Sequence, residues 1–407
     1  MLNSHKKIVE NYFFMTILQM LNSLFYIIIY PYLIRVLGPE EYGLFIYITS
    51  IVTYFIFLIN FGFDFPATKA VANNKDDKEE ISHIFSCIFT AKMYLQIIAF
   101  TFLFALIMII PYFRKNWILI LIVFTQTVSH FLLPLWYFQG LQKMKVVTII
   151  QVIFKFLTLP LIFFFVKSAD DLNIFAGINS VLLILGSIVS IIMVFRDGIK
   201  IRLVNISTLK DWFRDAMPFF LSNSVGVIKE QGITILIGAF FGMRDVALYD
   251  LANKIVIIPR TLLMSINAAM FPKVIIDAKK STVRKIIKYE FLIGILVVVG
   301  IAIFGKWIVQ LLGGSSMSDS YMLAVILSIS VIGWLVVGAF ISFVFIPSNN
   351  YYLVTKNQIF ALVSVFLIAL FGLLIYKSIY ILVSALAISA LLEILFCTYI
   401  TSKKKLL

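Results

Sequence analysis

Long apolar stretches recur along the chain between short polar connections. Twelve are long enough to cross a bilayer, near 11–34, 42–63, 81–110, 115–139, 146–166, 173–195, 216–241, 245–271, 286–312, 318–346, 356–377 and 378–400. About 20 predominantly apolar residues span the hydrocarbon. Lipid offers no partner to an open backbone, so each stretch predicts an α-helix. The expected fold class is therefore an all-α polytopic membrane protein of twelve transmembrane helices.

Polar positions inside the spans are periodic. Tyr12, Thr16, Gln19, Ser23, Tyr26 and Tyr30 fall at steps of four, three, four, three and four, one stripe of a helix with about 3.6 residues per turn. The fifth span carries Thr148, Gln151, Lys155 and Thr158 at similar steps, and the fourth has Gln126, His130 and Tyr137. In the eighth, Asp250, Asn253, Lys254, Arg260, Thr261 and Asn267 share one broad sector.

The longest connection, 196–215, falls midway and divides the chain into an expected N-terminal six-helix lobe, 1–200, and a C-terminal one, 201–407. A shift of 204 residues lays Ala239–Tyr249 on Arg35–Phe45, matching Gly242 to Gly38, Asp245 to Glu41 and Leu248 to Leu44. The same shift lays Asn223, Glu230 and Thr234 on Gln19, Tyr26 and Tyr30. Six spans per half make the repeat parallel, with its axis along the membrane normal. Two lobes would flank a central V-shaped cleft.

Composition agrees with the pattern: 62% of the 407 residues are hydrophobic and 13% charged, outside the soluble globular range. Of 34 Lys and Arg, 22 lie at the termini and in even-numbered connections and seven on the opposite side. The positive-inside bias then predicts both termini in the cytoplasm. That asymmetry accounts for most of the net charge of +14, and no nucleic-acid partner is inferred. No small-residue cleavage site follows the first span, so no removed leader is expected. Cys87 and Cys397 lie in apolar spans far apart and predict no disulfide.

The remaining five cations, Lys92, Lys155, Lys229, Lys254 and Arg260, lie inside spans. A charge there costs about 2.5 kcal/mol or more at the helix centre, and a water-filled cationic cavity for an anion is the usual reason to keep one. Against them stand Glu230 and Asp250, which are candidates for proton or sodium coupling. Asp250 and Lys254, one turn apart, can instead neutralise each other. Tyr12, Gln19, Tyr26, Tyr30, Gln151, Asn223 and Asn253 are the expected polar lining. Pro134, Pro160 and Pro259 fall within spans and permit bending. No nucleotide loop, metal-ligand cluster or nucleophile constellation is present, so neither a cofactor nor an enzyme is expected.

The segment Asn11–Phe63, above all Tyr30-Pro31-Tyr32-Leu33-Ile34-Arg35-Val36-Leu37-Gly38-Pro39-Glu40-Glu41-Tyr42-Gly43 and Asn60-Phe61-Gly62-Phe63, resembles the opening of the polysaccharide biosynthesis flippases. These are the Wzx-type O-antigen translocases of the multidrug/oligosaccharidyl-lipid/polysaccharide exporter superfamily. The resemblance implies two six-helix lobes, a bacterial inner-membrane location and alternating access. It also implies movement of undecaprenyl-diphosphate-linked sugar repeats from the cytoplasmic to the periplasmic leaflet, alongside membrane lipid and other polysaccharide assembly proteins. The five basic residues are assigned to the substrate on membrane depth, with no family motif behind them. A drug/cation antiporter of the same superfamily would want acidic residues in its cleft, and the first half has none in mid-membrane. An O-antigen polymerase or ligase would want a large periplasmic loop, which this chain lacks.

Overall fold

The structure is a computed structural model that describes residues 14, 21, 25, 27–277 and 280–407. Tyr12, Thr16, Gln19, Ser23 and Tyr26 lie outside the described residues. Helices α1 (Ile27–Val36), α2 (Gly38–Asn60), α3 (Asp64–Asn73), α4 (Lys78–Ile109) and α5 (Pro111–Lys115) come first in the chain. Next are α6 (Trp117–Phe124), α7 (Gln126–Leu132), α8 (Leu135–Gly140), α9 (Met144–Phe165) and α10 (Leu172–Arg196). The second half holds α11 (Ile206–Phe240), α12 (Met243–Asp277), α13 (Lys280–Gly313), α14 (Ser320–Phe340), α15 (Tyr351–Ile375) and α16 (Ile379–Lys403). No strand occurs among the described residues.

Nine helical stretches among the described residues are long and apolar enough to cross a membrane. With α11, α12 and α1, which covers the end of the 11–34 stretch, they are consistent with the twelve stretches read from the hydropathy pattern. Polar side chains such as Lys229, Glu230 and Gln231 hold down the hydropathy of α11, so length and composition alone do not pick it out. The protein is a multi-pass membrane protein.

The chain separates into two compact units. The first comprises the described residues up to Gly38 together with Ile48–Val227, and the second Pro39–Tyr47 together with Ile228–Leu407. In the first unit α10 packs against α6, α7 and α9, while α3 packs on α8. In the second, α14 packs against α12, α13 and α16, and ends in a wider π-type turn at Ile341–Phe345.

The 196–215 connection belongs to the first unit, and a hydrogen-bond ladder holds it there. Ser82, Ser86 and Thr90, one turn apart on α4, accept from the backbone N–H of Lys200, Arg202 and Val204 at 3.2, 3.0 and 3.4 Å. Two extended residues advance about 6.6 Å and four helical residues about 6 Å, so the two repeats stay in step.

The quoted signature residues have identifiable packing roles. Gly38 and Gly242 both take positive φ, 78° and 106°, each at a turn opening a helix. Gly43 brings α2 against α12 so closely that a Cβ would sit 1.8 Å from the Met243 carbonyl oxygen. Phe61 stacks on Phe220 at 4.4 Å and Phe63 meets Phe213 edge-on at 5.2 Å. Gly62, at φ 74°, lets the backbone of α11 approach. The run Asn60–Phe63 thus anchors the first half of α11.

Candidate functional site: the basic groups inside the spans

In the second unit each of the three expected cations, Lys229, Lys254 and Arg260, has a carboxylate. Lys229 on α11 donates to Glu393 Oε1 on α16 at 3.2 Å, and both side chains are largely buried. Glu393 Oε2 accepts from the Asn357 amide on α15 at 3.2 Å, and Asn357 Oδ1 accepts from the Cys397 thiol at 3.4 Å. Glu230, the next residue on α11, points to a different face and accepts from Arg260 on α12 at 3.1 Å. The Arg260 guanidinium also lies over the Trp334 ring on α14, 3.2 Å from its centroid. Planar stacking leaves the edge of the guanidinium as its donor-bearing face.

Lys254 and Asp250, one turn apart on α12, form the third pair. Tyr42 closes it: its hydroxyl donates to Asp250 Oδ2 at 2.9 Å and accepts from Lys254 Nζ at 2.6 Å. Sequence alone set only Glu230 and Asp250 against the five cations, and Glu393 adds a third carboxylate. Three cations against three carboxylates leave no surplus among these groups in the second unit. Paired charges tolerate burial, whereas removal of one partner strands the other.

The first unit differs. Lys92 on α4 is 3% exposed, so it neither reaches the membrane surface nor faces open space. Its ammonium donates to Asn60 Oδ1 at 3.0 Å and approaches the His130 carbonyl oxygen at 3.5 Å. That carbonyl has no intrahelical partner, because the residue four positions on is Pro134, which lacks an N–H. The break between α7 and α8 falls there, with Leu133 and Pro134 non-helical. Lys92 thus faces Asn60 and the chain's own interrupted backbone. Pro160, by contrast, sits inside an unbroken α9 and Pro259 inside an unbroken α12.

Lys155 on α9 is half-buried and lies over the Phe25 ring, 4.8 Å from its centroid. Of the expected lining, Tyr30 is fully buried, Gln151 and Asn253 are half-buried and Asn223 is exposed. The Gln151 amide nitrogen is buried with no hydrogen-bond partner among the described residues. Tyr12, Gln19 and Tyr26 again fall outside them. Asn60, Tyr42, Trp334, Asn357 and Glu393 were missed as partners, and only Tyr42 and Asn60 had a signal, through their place in the quoted signature. No cluster of His, Cys, Asp or Glu able to hold a metal ion occurs among the described residues.

The stacked helices make this a polytopic all-α membrane protein. A multidrug resistance MATE family transporter of the MOP superfamily in its inward-facing conformation is similar in fold, with a TM-score of 0.71 at 15% identity over 95% of each chain. The lipid II flippase MurJ in an inward closed conformation is also similar, with a TM-score of 0.68 at 14% identity over 97% of this chain and 87% of that one. Residues 8–275 match the family model described as polysaccharide biosynthesis protein, and the chain belongs to that family. An Escherichia coli (strain K12) protein named "Putative O-antigen transporter" is 28% identical over 266 residues, 65% of this chain and 64% of the relative's own length. A Shigella dysenteriae protein of the same name is 27% identical, over 76% of this chain and 81% of that one.

Proposed function

We propose that this protein is a flippase that carries undecaprenyl-diphosphate-linked oligosaccharide repeats from the cytoplasmic to the periplasmic leaflet, for O-antigen or another surface polysaccharide. It would work in the bacterial inner membrane by alternating access, with both termini cytoplasmic. The observation that carries this reading is the set of basic groups held inside the spans of a chain from a polysaccharide biosynthesis family. A diphosphate cannot cross hydrocarbon unaided, and Lys and Arg pair with phosphate through charge-assisted bonds.

Arg260 is the strongest candidate anchor, because Trp334 and Glu230 hold its guanidinium in one orientation. Lys155, Lys229 and Lys254 are further candidates. At Lys229 and Lys254 the resident carboxylate would yield to the incoming phosphate. Glu393, Asp250 and Glu230 are then the groups able to take up a proton or sodium ion as substrate displaces them, which is how coupling would enter. The fold is shared with multidrug transporters and does not by itself separate the two readings. The absence of an acidic group in mid-membrane in the first half favours the anionic substrate.

The test is rescue of surface glycan in a strain deleted for this gene, scored with Arg260→Ala, Lys155→Ala and Lys229→Ala at matched membrane expression. The reading expects wild type to restore the glycan and Arg260→Ala to lose most of it. Full rescue by all three variants would remove its basis.

A further inference from the structure

The second unit carries an unbalanced basic surface where α13 and α15 begin and α16 ends. Lys280, Arg284, Lys285 and Lys288 lie on the first turns of α13, Lys356 on α15, and the run Lys403–Lys405 at the end of α16; all eight are exposed. Their convergence is explicit. Lys280 Nζ donates to the Lys405 carbonyl oxygen at 3.0 Å, which ties the start of α13 to the end of α16. Leu406 and Leu407 tuck against the apolar cluster built on Val283, Ile286 and Leu353.

On the third helix, Tyr352 receives two ammonium groups over one ring, Lys356 at 5.4 Å and Lys404 at 5.0 Å from the centroid. Like charges gathered on one ring repel unless an anion lies between them. None of the eight basic groups pairs with a carboxylate among the described residues. Exposed Tyr289, Tyr351 and Tyr399 border the patch, the side-chain type that settles at headgroup level.

Topology alone does not account for this concentration. In the first unit the corresponding connections, 64–80, 140–145 and 196–215, mix ten basic residues with eight acidic ones. Several are paired, as in Lys143 with Asp197 at 2.7 Å and Arg214 with Asp211 at 3.0 Å. A rule that only orients the chain has no need to leave one unit nearly balanced and the other with ten basic residues against the single acidic Asp277 in 272–288, Lys356 and Lys403–Lys405.

We propose that the converging ends of α13, α15 and α16 form a binding site for anionic phospholipid headgroups of the adjoining membrane leaflet. The lysines and Arg284 would hold the phosphate and the tyrosines would sit at the glycerol level. A basic residue near an anionic membrane surface contributes on the order of a fivefold gain in affinity. Neutralising three of them should therefore cost well over tenfold. The attraction should also weaken at high salt, where the Debye length falls to a few ångströms.

The test is lipid retention by the purified full-length protein in native mass spectrometry, titrated with phosphatidylglycerol or phosphatidylcholine. The expected result is at least a tenfold preference for phosphatidylglycerol that falls below threefold in Arg284→Gln/Lys285→Gln/Lys288→Gln. The separate variant Lys403→Gln/Lys404→Gln/Lys405→Gln, which leaves α13 intact, should lose the preference as well. Thermal unfolding in lipid-free detergent identifies a variant that has merely misfolded, and the other then decides. Equal retention of the two lipids by wild type, or a preference that survives in a well-folded variant, overturns the proposal. So does competition by glycerol phosphate as effective as that by phosphatidylglycerol, which would mark a site for free phosphate.

Discussion

Replacing Lys92 by Met separates a substrate-binding role from a structural one. The ammonium makes one good bond, 3.0 Å to Asn60 Oδ1, and one long approach, 3.5 Å to the His130 carbonyl. A hydrogen bond to a charged group contributes about 1.5–3 kcal/mol, and the longer contact adds only a fraction of that. Two effects offset the loss: the buried ammonium no longer has to be desolvated, and half-buried Asn60 can find another donor. The net expectation is a destabilisation of about 1–2 kcal/mol. The variant Pro134→Ala restores an N–H four residues after His130. In that background the cost of Lys92→Met should shrink by about 0.5–1 kcal/mol, the low end of the coupling between groups sharing a partner, because the His130 contact is long. The assay is the fraction of each variant that stays monodisperse after heating in detergent, all four members of the cycle being compared at one heating rate because such unfolding is irreversible. If Lys92→Met melts like wild type, shows no coupling to Pro134→Ala and yet abolishes glycan export, the structural assignment is refuted and Lys92 belongs with the substrate.

Glu393→Gln leaves Lys229 without its carboxylate in a site where both side chains are mostly buried; a loss of about 3 kcal/mol is expected, with much of it recovered in Lys229→Met/Glu393→Leu, as read by thermal unfolding. Gly43→Ala places a methyl 1.8 Å from the Met243 carbonyl oxygen, and α2 must then shift along α12 at a cost of about 3 kcal/mol or more, seen as loss of membrane expression. Asp197 lies outside the spans. Burial alone would raise its carboxyl, but the bonds donated by Lys143 and Tyr137 and the charges of Lys143 and Lys78 outweigh that and hold it below the ordinary value. Its contribution is therefore complete above the unfolded value of about 3.9 and is lost as pH falls through the lower folded value. Because the pair is partly exposed the amount is under about 1 kcal/mol, and Asp197→Asn should flatten that acid limb of the stability profile.

The helices and several turns were legible because their signals are local. Length and hydropathy mark nine of the spans among the described residues, and Gly38 and Gly242 stand out by repeating at one offset and share positive φ. The Asp250–Lys254 pair was readable as well, since one helical turn separates the two residues. The other partnerships were not. Lys229 and Glu393 are 164 residues apart, and Lys92 and Asn60 are 32 apart. Periodicity says which face a residue shares with its own helix but not which helix it meets. Glu393 went unrecognised as a partner for the same reason: nothing in its own helix shows that it meets Lys229 on α11. Tyr42 and Gly43 drew notice only as part of a family signature. Their physical task, closing the Asp250–Lys254 pair and admitting the backbone of α12, shows only once the two helices are packed.

The central claim is that the protein moves a lipid-linked glycan between leaflets, and the leaflet in which that glycan accumulates tests it most directly. In cells deleted for the gene and carrying the native glycan cluster, the lipid-diphosphate repeat should be shielded from a membrane-impermeant glycan-modifying reagent applied to the periplasmic face. Wild-type protein should expose it, and Arg260→Ala should leave it shielded. Repeats equally exposed with and without the protein would contradict the account.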